Sequence, residues 1–396
     1  MTIATTVPVR RLTITSVAVA AALVPLNSTM IAVALPYIAD DYDISRGRAS
    51  ILITIYLIAM LAGQPVAGRL SDHLGARRTA LGALAGFSAC CVLAIVPGSF
   101  ALLVVARTGQ AVFASALTPS VQSMLRSIVP TEERGRAFGL LGSTIGIGAG
   151  AGPVLGGIVI AVFGWHGIFA VNLPVAALSF IVLWRLPATT DEHAASADRE
   201  VAGEPIANRT FSLSFTNQAL TTVGQYALLL LIPILLDDRG WGSVGVGLVL
   251  ASLTVGMVVM SPIGGRLGDR RNRRSIVLAG TVVTTISLAP CAIVGADLPI
   301  GLLVPMLIAF GLGLGACTPN VTALALESVQ ARQTGLAAGV LSMSRYVGSI
   351  STSVALGIIV GTGVEGVGTM LWISLVASMA AVVAAAALPR QQLRHV

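Results

Sequence analysis

Long apolar segments separated by short polar loops run through the whole chain. A helix needs about 20 mostly apolar residues to cross the hydrocarbon core of a membrane. No backbone polar group can stay unpaired in hydrocarbon, so each such segment must be helical. The sequence therefore predicts an all-α membrane protein with 12 transmembrane helices. They cover residues 13–36, 49–70, 79–96, 100–127, 135–163, 165–186, 211–236, 243–267, 275–294, 299–326, 334–361 and 367–388.

Composition excludes a soluble fold. Of the 396 residues, 55% are hydrophobic and only 10% are charged, whereas a soluble domain carries about 25% charged residues. The first apolar segment follows Arg10 and Arg11, as in a signal peptide. It is too long for one, however, and it lacks a small-residue cleavage site.

The arginines predict the orientation in the membrane. All 24 basic residues are arginine, and with a cytoplasmic N-terminus 19 of them lie in cytoplasmic loops or termini. Three lie on the opposite side (Arg46, Arg48 and Arg239), and Arg107 and Arg345 lie inside spans. Positive residues are retained on the cytoplasmic side, so we expect both termini there and a place in the cell inner (plasma) membrane. This topology also explains the net charge of +7 without nucleic-acid binding, because no basic run carries stacking aromatic residues.

The two halves of the chain resemble each other. ALPYIADDYD at 34–43 matches LIPILLDDRG at 231–240, and GRLSDH at 68–73 matches GRLGDR at 265–270, both at an offset of 197. From the third segment onward the offset becomes 200. Matches in two consistent registers indicate duplication of a six-helix unit. We expect an N-terminal bundle at 1–186, a polar cytoplasmic linker at 187–210 and a C-terminal bundle at 211–396.

Two pseudo-symmetric six-helix halves resemble the major facilitator superfamily. The loop GRLSDHLGARR at 68–78 is similar to a signature loop of that family, and a second copy begins at Gly265. Gly75 is suited to a positive φ, and Asp72 is suited to cap a helix N-terminus, where the dipole favours an anion. The resemblance implies that Asp72 latches the cytoplasmic gate against the eleventh helix, although His73 replaces the usual arginine. The expected gating residues of the two copies are Gly68, Asp72, Gly75, Arg77, Arg78, Asp269 and Arg273.

A glycine–proline segment, GAGAGPVLGG at 148–157, resembles a motif of the superfamily's drug antiporters. Pro153 removes one helix hydrogen bond and is expected to kink the fifth helix. The glycines offer a smooth face for a neighbouring helix, and the resemblance implies a conformational role and favours export. The face consists of Gly148, Gly152, Gly156 and Gly157, and we expect it to pack against Gly245, Gly247 and Gly256 of the eighth helix.

Three further segments resemble motifs of multidrug proton antiporters. PLNSTMIAVALP at 25–36 has Asn27 where that family has an acidic residue, and WHGIFAVNLP at 165–174 has His166 in place of an arginine. LLVVARTGQA at 102–111 is similar to an arginine-containing segment of the fourth helix. Asparagine cannot carry a proton, so a coupling role does not transfer to Asn27.

Arg107 and Arg345 lie deep inside predicted spans. A guanidinium in hydrocarbon costs about 2.5 kcal/mol or more, so each either faces the substrate path or ties down backbone carbonyls; the first interpretation is favoured. Other polar residues at similar depth contact substrate or form helix–helix hydrogen bonds. The candidate substrate-binding set is Asn27, Tyr56, Arg107, Gln110, Asn217, Gln225, Tyr226, Asn320 and Arg345.

All 17 acidic residues lie outside the span interiors, so the buried carboxylate typical of a proton antiporter is missing. Coupling then uses an acid at a helix end, uses a proton on the substrate itself, or does not occur. Two intramembrane arginines without an acid favour anionic or neutral amphipathic solutes.

We therefore expect a secondary active transporter that exports drugs or metabolites by alternating access. The alternative is a metabolite uptake facilitator or uniporter of the same fold. An enzyme would need a nucleophile and base or a metal site in the spans, and the four cysteines lack metal-ligand spacing. ATP-driven pumping needs a Walker lysine, and the chain has no lysine. The expected partners are a small-molecule substrate, the lipid bilayer and, for an antiporter, protons; we expect a monomer with no cofactor, metal or nucleic acid.

Overall fold

The computed structural model describes residues 7–49, 51–96, 98–185, 208–237, 239–240, 243–295, 298–360 and 364–389. Every regular element within these residues is helical, which confirms the all-α prediction. In chain order the helices are α1 (Val7–Asp41), α2 (Arg46–Ala49), α3 (Ile51–Leu74), α4 (Ala76–Ile95), α5 (Phe100–Ile128), α6 (Arg134–Phe163), α7 (Gly167–Ala170), α8 (Asn172–Arg185), α9 (Arg209–Asp237), α10 (Ser243–Arg270), α11 (Arg273–Val294), α12 (Ile300–Glu327), α13 (Thr334–Val360) and α14 (Val364–Ala387). Short 3₁₀ turns at Thr131–Glu133 and Ala331–Gln333 precede α6 and α13.

Each predicted span coincides with a helix to within six residues, except 165–186, which corresponds to the two helices α7 and α8. Within the described residues, eight segments are straight, long and apolar enough to cross a membrane. Two more cross if a bend is allowed, and they lie in α1 (55° between 20–31 and 33–41) and α6 (44° between 131–152 and 155–163). The bend in α6 falls where the sequence has Pro153, as a proline kink predicts.

The remaining two predicted spans, 211–236 and 334–361, correspond to α9 and α13. Both carry a row of buried polar side chains. In α9 these are Ser214, Asn217, Gln218, Thr221 and Thr222, and in α13 they are Ser342, Ser344, Ser349 and Thr352.

The chain forms two compact units. The first consists of Met1–Pro130, Thr144–Glu204 and Gln330–Met343, and the second of Thr131–Ser143, Pro205–Val329 and Ser344–Val396. Two helices, α6 and α13, are divided between the units. The first turns of α6 belong to the second unit and its remainder to the first, whereas the first turns of α13 belong to the first unit and its remainder to the second. The predicted linker 187–210 lies almost wholly outside the described residues.

The glycine–proline segment of α6 packs against α1 in the first unit. A Cβ at Gly148 would lie 2.7 Å from the carbonyl oxygen of Ala22. A Cβ at Gly152 would overlap the hydroxyl of Thr29, which donates to the carbonyl of Pro25 at 2.9 Å. The small residues therefore allow a close approach of these two helices.

The predicted partner of this face is wrong. Gly256 of α10 lies against the carbonyl of Ile308 in α12, within the second unit. A Cβ added at Gly157 or Gly247 would meet no atom within 4 Å among the described residues, and one added at Gly156 would make only an ordinary contact with Met30. The helix α6 does approach α10, but through glycines nearer its start: a Cβ at Gly139 would lie 2.4 Å from the carbonyl oxygen of Ser261, within the second unit.

In the second unit α12 packs between α10 and α11 through small residues. A Cβ at Gly264 of α10 would lie 2.6 Å from the Cα of Ala316. Gly280 of α11 and Gly313 of α12 face each other, and a Cβ on either would lie 2.7 Å from the other's carbonyl oxygen. This close packing brings together the helices that carry Asn320 and two of the partners of Asn217, namely Thr281 and Cys317.

Candidate substrate site and helix-end contacts

A fully buried arginine lies at the centre of the first unit. Arg107 occupies a face of α5 that also buries Leu103, Gln110, Ala111 and Ala114, spaced as one helix face requires. Its Nη1 donates to Oε1 of Gln110 at 2.9 Å, and its Nη2 donates to the backbone oxygen of Asn27 at 3.4 Å. The guanidinium carbon lies 4.2 Å from the centre of the Tyr56 ring, a cation–π geometry.

No carboxylate pairs with Arg107 in the described part of the chain. A charge removed from water is normally paired or neutralised, because its desolvation is costly. The protein offsets this cost only with an amide, a carbonyl and an aromatic face. Residues that tolerate such a cost inside a membrane are usually functional.

Buried polar side chains from other helices complete the site. Gln110 Nε2 donates to Sγ of Cys91 in α4 at 3.2 Å. Asn172 at the start of α8 donates to Oδ1 of Asn27 at 3.3 Å and to the carbonyl of Ile168 at 2.8 Å. The site thus joins α1, α3, α4, α5 and α8 of one unit.

Three polar atoms in this site have no hydrogen-bond partner among the described residues. They are Arg107 Nε, Asn27 Nδ2 and Asn172 Oδ1. Buried polar groups are nearly always satisfied, so each exception calls for an explanation. The site can make further hydrogen bonds to a ligand, mainly by donating from Arg107 Nε and Asn27 Nδ2.

The structure brings four of the predicted substrate-binding residues together, namely Asn27, Tyr56, Arg107 and Gln110. Sequence reasoning did not assign Asn172 or Cys91 to the site. Asn172 is the asparagine of the WHGIFAVNLP segment, and its place in that motif is a sequence signal for the site. Cys91 gave none, because its role depends on Gln110 of another helix.

Asn217 and Asn320 make helix-packing contacts in the second unit. Asn217 Nδ2 donates to the hydroxyl of Thr281 at 3.2 Å and to the carbonyl of Ala381 at 3.0 Å, and its Oδ1 accepts from Cys317. Asn320 Nδ2 donates to two backbone carbonyls, each at 2.9 Å. Their geometry matches the alternative interpretation of these residues, helix–helix hydrogen bonding.

Arg345 forms a second polar group with Tyr226. Both are half-buried in the second unit. Arg345 interacts electrostatically with Tyr226 and Tyr346, and Tyr226 also interacts with the side chain of Ser349. Gln225, also half-buried, precedes Tyr226 in α9.

Asp72 caps the N-terminus of α13 in the first unit. Its carboxylate accepts from the backbone N–H groups of Gly335 at 2.6 Å and Leu336 at 2.7 Å. Such donors are unpaired at a helix start, and the dipole there favours an anion. Arg126, in the last turn of α5, donates to the hydroxyl of Thr334, the first residue of α13. The aspartate therefore acts as the helix cap that the sequence suggested.

Asp269 makes the corresponding contact in the second unit. It accepts from the N–H groups of Gly135 and Arg136, both at 2.8 Å, at the start of α6. Unlike the contact of Asp72, this one includes an ion-pair network: Arg273 binds Asp269 at 3.0 Å and also pairs with Glu327. At an offset of 197, the first half has Ala76 where this network has Arg273.

Removing Arg273 is expected to destabilise the second unit. The guanidinium is shared by two carboxylates that are 7% and 14% exposed, so Arg273→Gln removes the cation bound to Asp269 and leaves Glu327 with the longer contact to Arg134, at 4.0 Å. Breaking a buried pair in this way costs about 3 kcal/mol, which should appear as a clear fall in Tm. Arg271→Gln, an exposed neighbour, is the matched control, and an equal fall in both variants would contradict the prediction.

The other residues of the two signature loops form a turn, bind the end of a neighbouring helix or are exposed. Gly75 has φ of 89° and begins the turn into α4, as expected for a glycine. Arg77 Nε donates to the carbonyl of Leu183 at 2.9 Å, and Arg274, its counterpart at an offset of 197, donates to the carbonyl of Ala386. Both arginines thus bind the last carbonyls of a helix, where a cation is favoured. Arg78 is exposed.

Comparison with known proteins identifies the family. The model of the Major Facilitator Superfamily matches residues 17–353 and again 214–394. The chain is 27% identical to the riboflavin transporter RibZ of Clostridioides difficile (strain 630), over 81% of either chain. It is 24% identical to the tetracenomycin C resistance and export protein of Streptomyces glaucescens, over 91% of this chain and 78% of the relative.

A solved structure has a similar fold. The proton:xylose symporter XylE superposes with a TM-score of 0.81 at 13% identity, covering 96% of both chains. A match at this identity shows the fold alone. Together with the family match, it shows that this multi-pass membrane protein, a transporter and not an enzyme, belongs to the major facilitator superfamily.

Proposed function

We propose that the protein is a secondary active exporter of small amphipathic molecules, drugs or metabolites, that are anionic or neutral. The glycine–proline segment at 148–157 supports export, as does the relative named as a resistance and export protein. The relative named as a riboflavin transporter supports a planar organic solute of similar size.

The observation that carries the substrate class is the charge of the Arg107 site. The site holds one buried cation and no carboxylate within the described residues. A substrate with a negative or electron-rich polar group relieves the cost of that cation, whereas a lipophilic cation adds to it.

Alternating access supplies the mechanism. Asp72 and Asp269 each hold the start of a helix that is divided between the two units. We propose that these contacts form and break as the substrate path changes sides, so that Gly68, Gly75, Gly148, Gly152 and Pro153 serve packing and bending. Asn217 and Asn320 hold helices together in this proposal, whereas Gln225, Tyr226 and Arg345 line the substrate path.

The proposed setting is the plasma membrane, with a monomeric protein and both termini in the cytoplasm. The excess of arginines in one set of loops supports this orientation. Asn27 carries no proton, so proton antiport would use acids at helix ends, such as Asp41 or Glu327, or the substrate's own carboxyl group.

Flux in proteoliposomes tests the proposal. Protein of known orientation is loaded with riboflavin, tetracenomycin C or an amphipathic carboxylate, with and without a pH gradient. Export predicts movement from the face that carries the termini to the opposite face, and a proton antiporter should be faster with protons supplied on the opposite face. Movement only toward the face with the termini would establish the uptake alternative instead.

A further inference from the structure

One edge of the Arg107 guanidinium, formed by Nε and Nη2, is only weakly hydrogen-bonded within the described residues. The Nη1 of the guanidinium makes a bond of ordinary length to Gln110, at 2.9 Å. Its Nη2 makes only a long contact of 3.4 Å with the backbone oxygen of Asn27, and its Nε has no partner among the described residues. The Nε and Nη2 hydrogens lie in one plane and point the same way, which is the fork that binds a carboxylate through two parallel hydrogen bonds.

Asn27 lies beside this edge and carries a further donor. Its backbone oxygen already contacts Nη2, which places the residue next to the fork. Its side-chain oxygen accepts from Asn172, and its Nδ2 makes no hydrogen bond of ordinary geometry among the described residues, although the side chain interacts with the phenol of Tyr56. Both unpaired groups of Arg107 and Asn27 are donors, and both side chains are at most 1% exposed.

We propose that the Nε–Nη2 edge of Arg107 and the Nδ2 of Asn27 bind the carboxylate of an amphipathic monoanion. The proposal rests on the function proposed above and names the group by which the substrate is held. The ligand supplies the negative charge that the chain itself lacks at this site. Asparagine at position 27 leaves that charge to the ligand, whereas an aspartate there would supply it internally.

The chemistry of the site favours a carboxylate over other anions. One guanidinium carries one positive charge, so a dianion would stay half-neutralised. A spherical anion cannot use two parallel donors as well as a planar carboxylate can. Because Arg107 is 0% exposed, the ligand enters in a conformation in which the helices around Arg107 have parted.

Binding to the purified protein in detergent tests the proposal without any transport. The probes are salicylate, benzoate and 2-naphthoate, each paired with its primary amide, which has the same shape and no charge. We expect the carboxylates to raise Tm and the amides to leave it unchanged. Arg107→Gln and Arg107→Lys should weaken carboxylate binding by about 10- to 100-fold, since both lose the fork. The exposed control Arg271→Gln should bind as the wild type does.

Variants at position 27 give the more specific test in the same binding experiment. Asn27→Asp should raise Tm in the absence of ligand and weaken carboxylate binding at least tenfold, because an internal carboxylate then occupies the fork. Asn27→Ala, which removes the donor without adding charge, should weaken binding by less. The proposal is overturned if no carboxylate stabilises the protein more than its amide, or if binding survives in Arg107→Gln. It is equally overturned if Asn27→Asp binds as tightly as the wild type, or if chloride stabilises as well as the carboxylates do.

The two proposals fail separately. If carboxylates bind through Arg107 but no flux occurs from the face that carries the termini, the site stands and export is wrong. If neutral solutes are exported while no carboxylate binds, export stands and the carboxylate site is wrong.

Discussion

Replacing Arg107 by methionine is expected to abolish transport of anionic substrates while the protein still folds and reaches the membrane. The arginine is fully buried and has no carboxylate partner among the described residues. Replacing a buried charge by an apolar residue of similar size is often neutral or stabilising. Loss of the fork, by contrast, removes charged hydrogen bonds to the substrate worth about 1.5–3 kcal/mol each. Flux in proteoliposomes and Tm of the purified protein measure the two effects.

These two measurements separate a substrate-binding role from a structural one. If Arg107 served only to tie down Gln110 and the backbone of Asn27, the methionine variant would have a lower Tm and a flux that falls only in proportion to the folded fraction. Wild-type flux in a fully folded variant would remove Arg107 from the substrate path. Arg271→Gln, which removes an exposed arginine outside this site, is the control, and it should retain the flux of the wild type.

Alanine at Gly68 or Gly265 is expected to cause the second large effect. A Cβ at Gly68 would collide with the carbonyl group of Gly335, and one at Gly265 would collide with that of Gly135. The obstacles are backbone atoms, so no side-chain rotation can relieve them. The helix start must move away, and the hydrogen bonds of Asp72 or Asp269 to that helix start are lost with it. We expect overpacking to cost about 1–3 kcal/mol, with a lower Tm and slower transport.

Gly82→Ala is the matched control for this pair. It makes the same chemical change in the interior of α4, at a position where a Cβ would meet nothing within 4 Å among the described residues. Because alanine is the better helix former, this variant should be at least as stable as the wild type. If the Gly68 and Gly265 variants behaved like the Gly82 variant, the close approach would not limit stability or transport.

The sequence predicted the helices well because the membrane imposes one rule on every segment. Their ends were also predictable where chemistry is local: the positive φ of Gly75 and the capping role of Asp72 follow from residue type and spacing. The identity of the capped helix came only from the family resemblance. Nothing near Asp72 in the sequence indicates Gly335, because the contact is made between groups that are far apart along the chain.

The candidate site shows the same limit. Arg107, Asn27, Tyr56 and Gln110 could be selected because polar residues inside apolar spans are rare. Their hydrogen bonds could not be predicted, since Asn27 and Asn217 look equally suitable as asparagines within a span. In the structure Asn217 makes hydrogen bonds to its neighbours through both side-chain atoms. Asn27 keeps a free donor beside a cation. Which of the two can bind a ligand is decided by the surrounding helices.

The helix caps of Asp72 and Asp269 also affect what comparisons of homologous sequences can reveal. Each carboxylate binds two backbone N–H groups, which every amino acid except proline provides. A substitution at Leu336 or Arg136 therefore keeps the hydrogen bond and requires no compensating change in the aspartate. Covariation between positions would accordingly miss these two contacts, although both hold the start of a helix. It would detect pairs such as Arg273 with Glu327, where both partners are side chains.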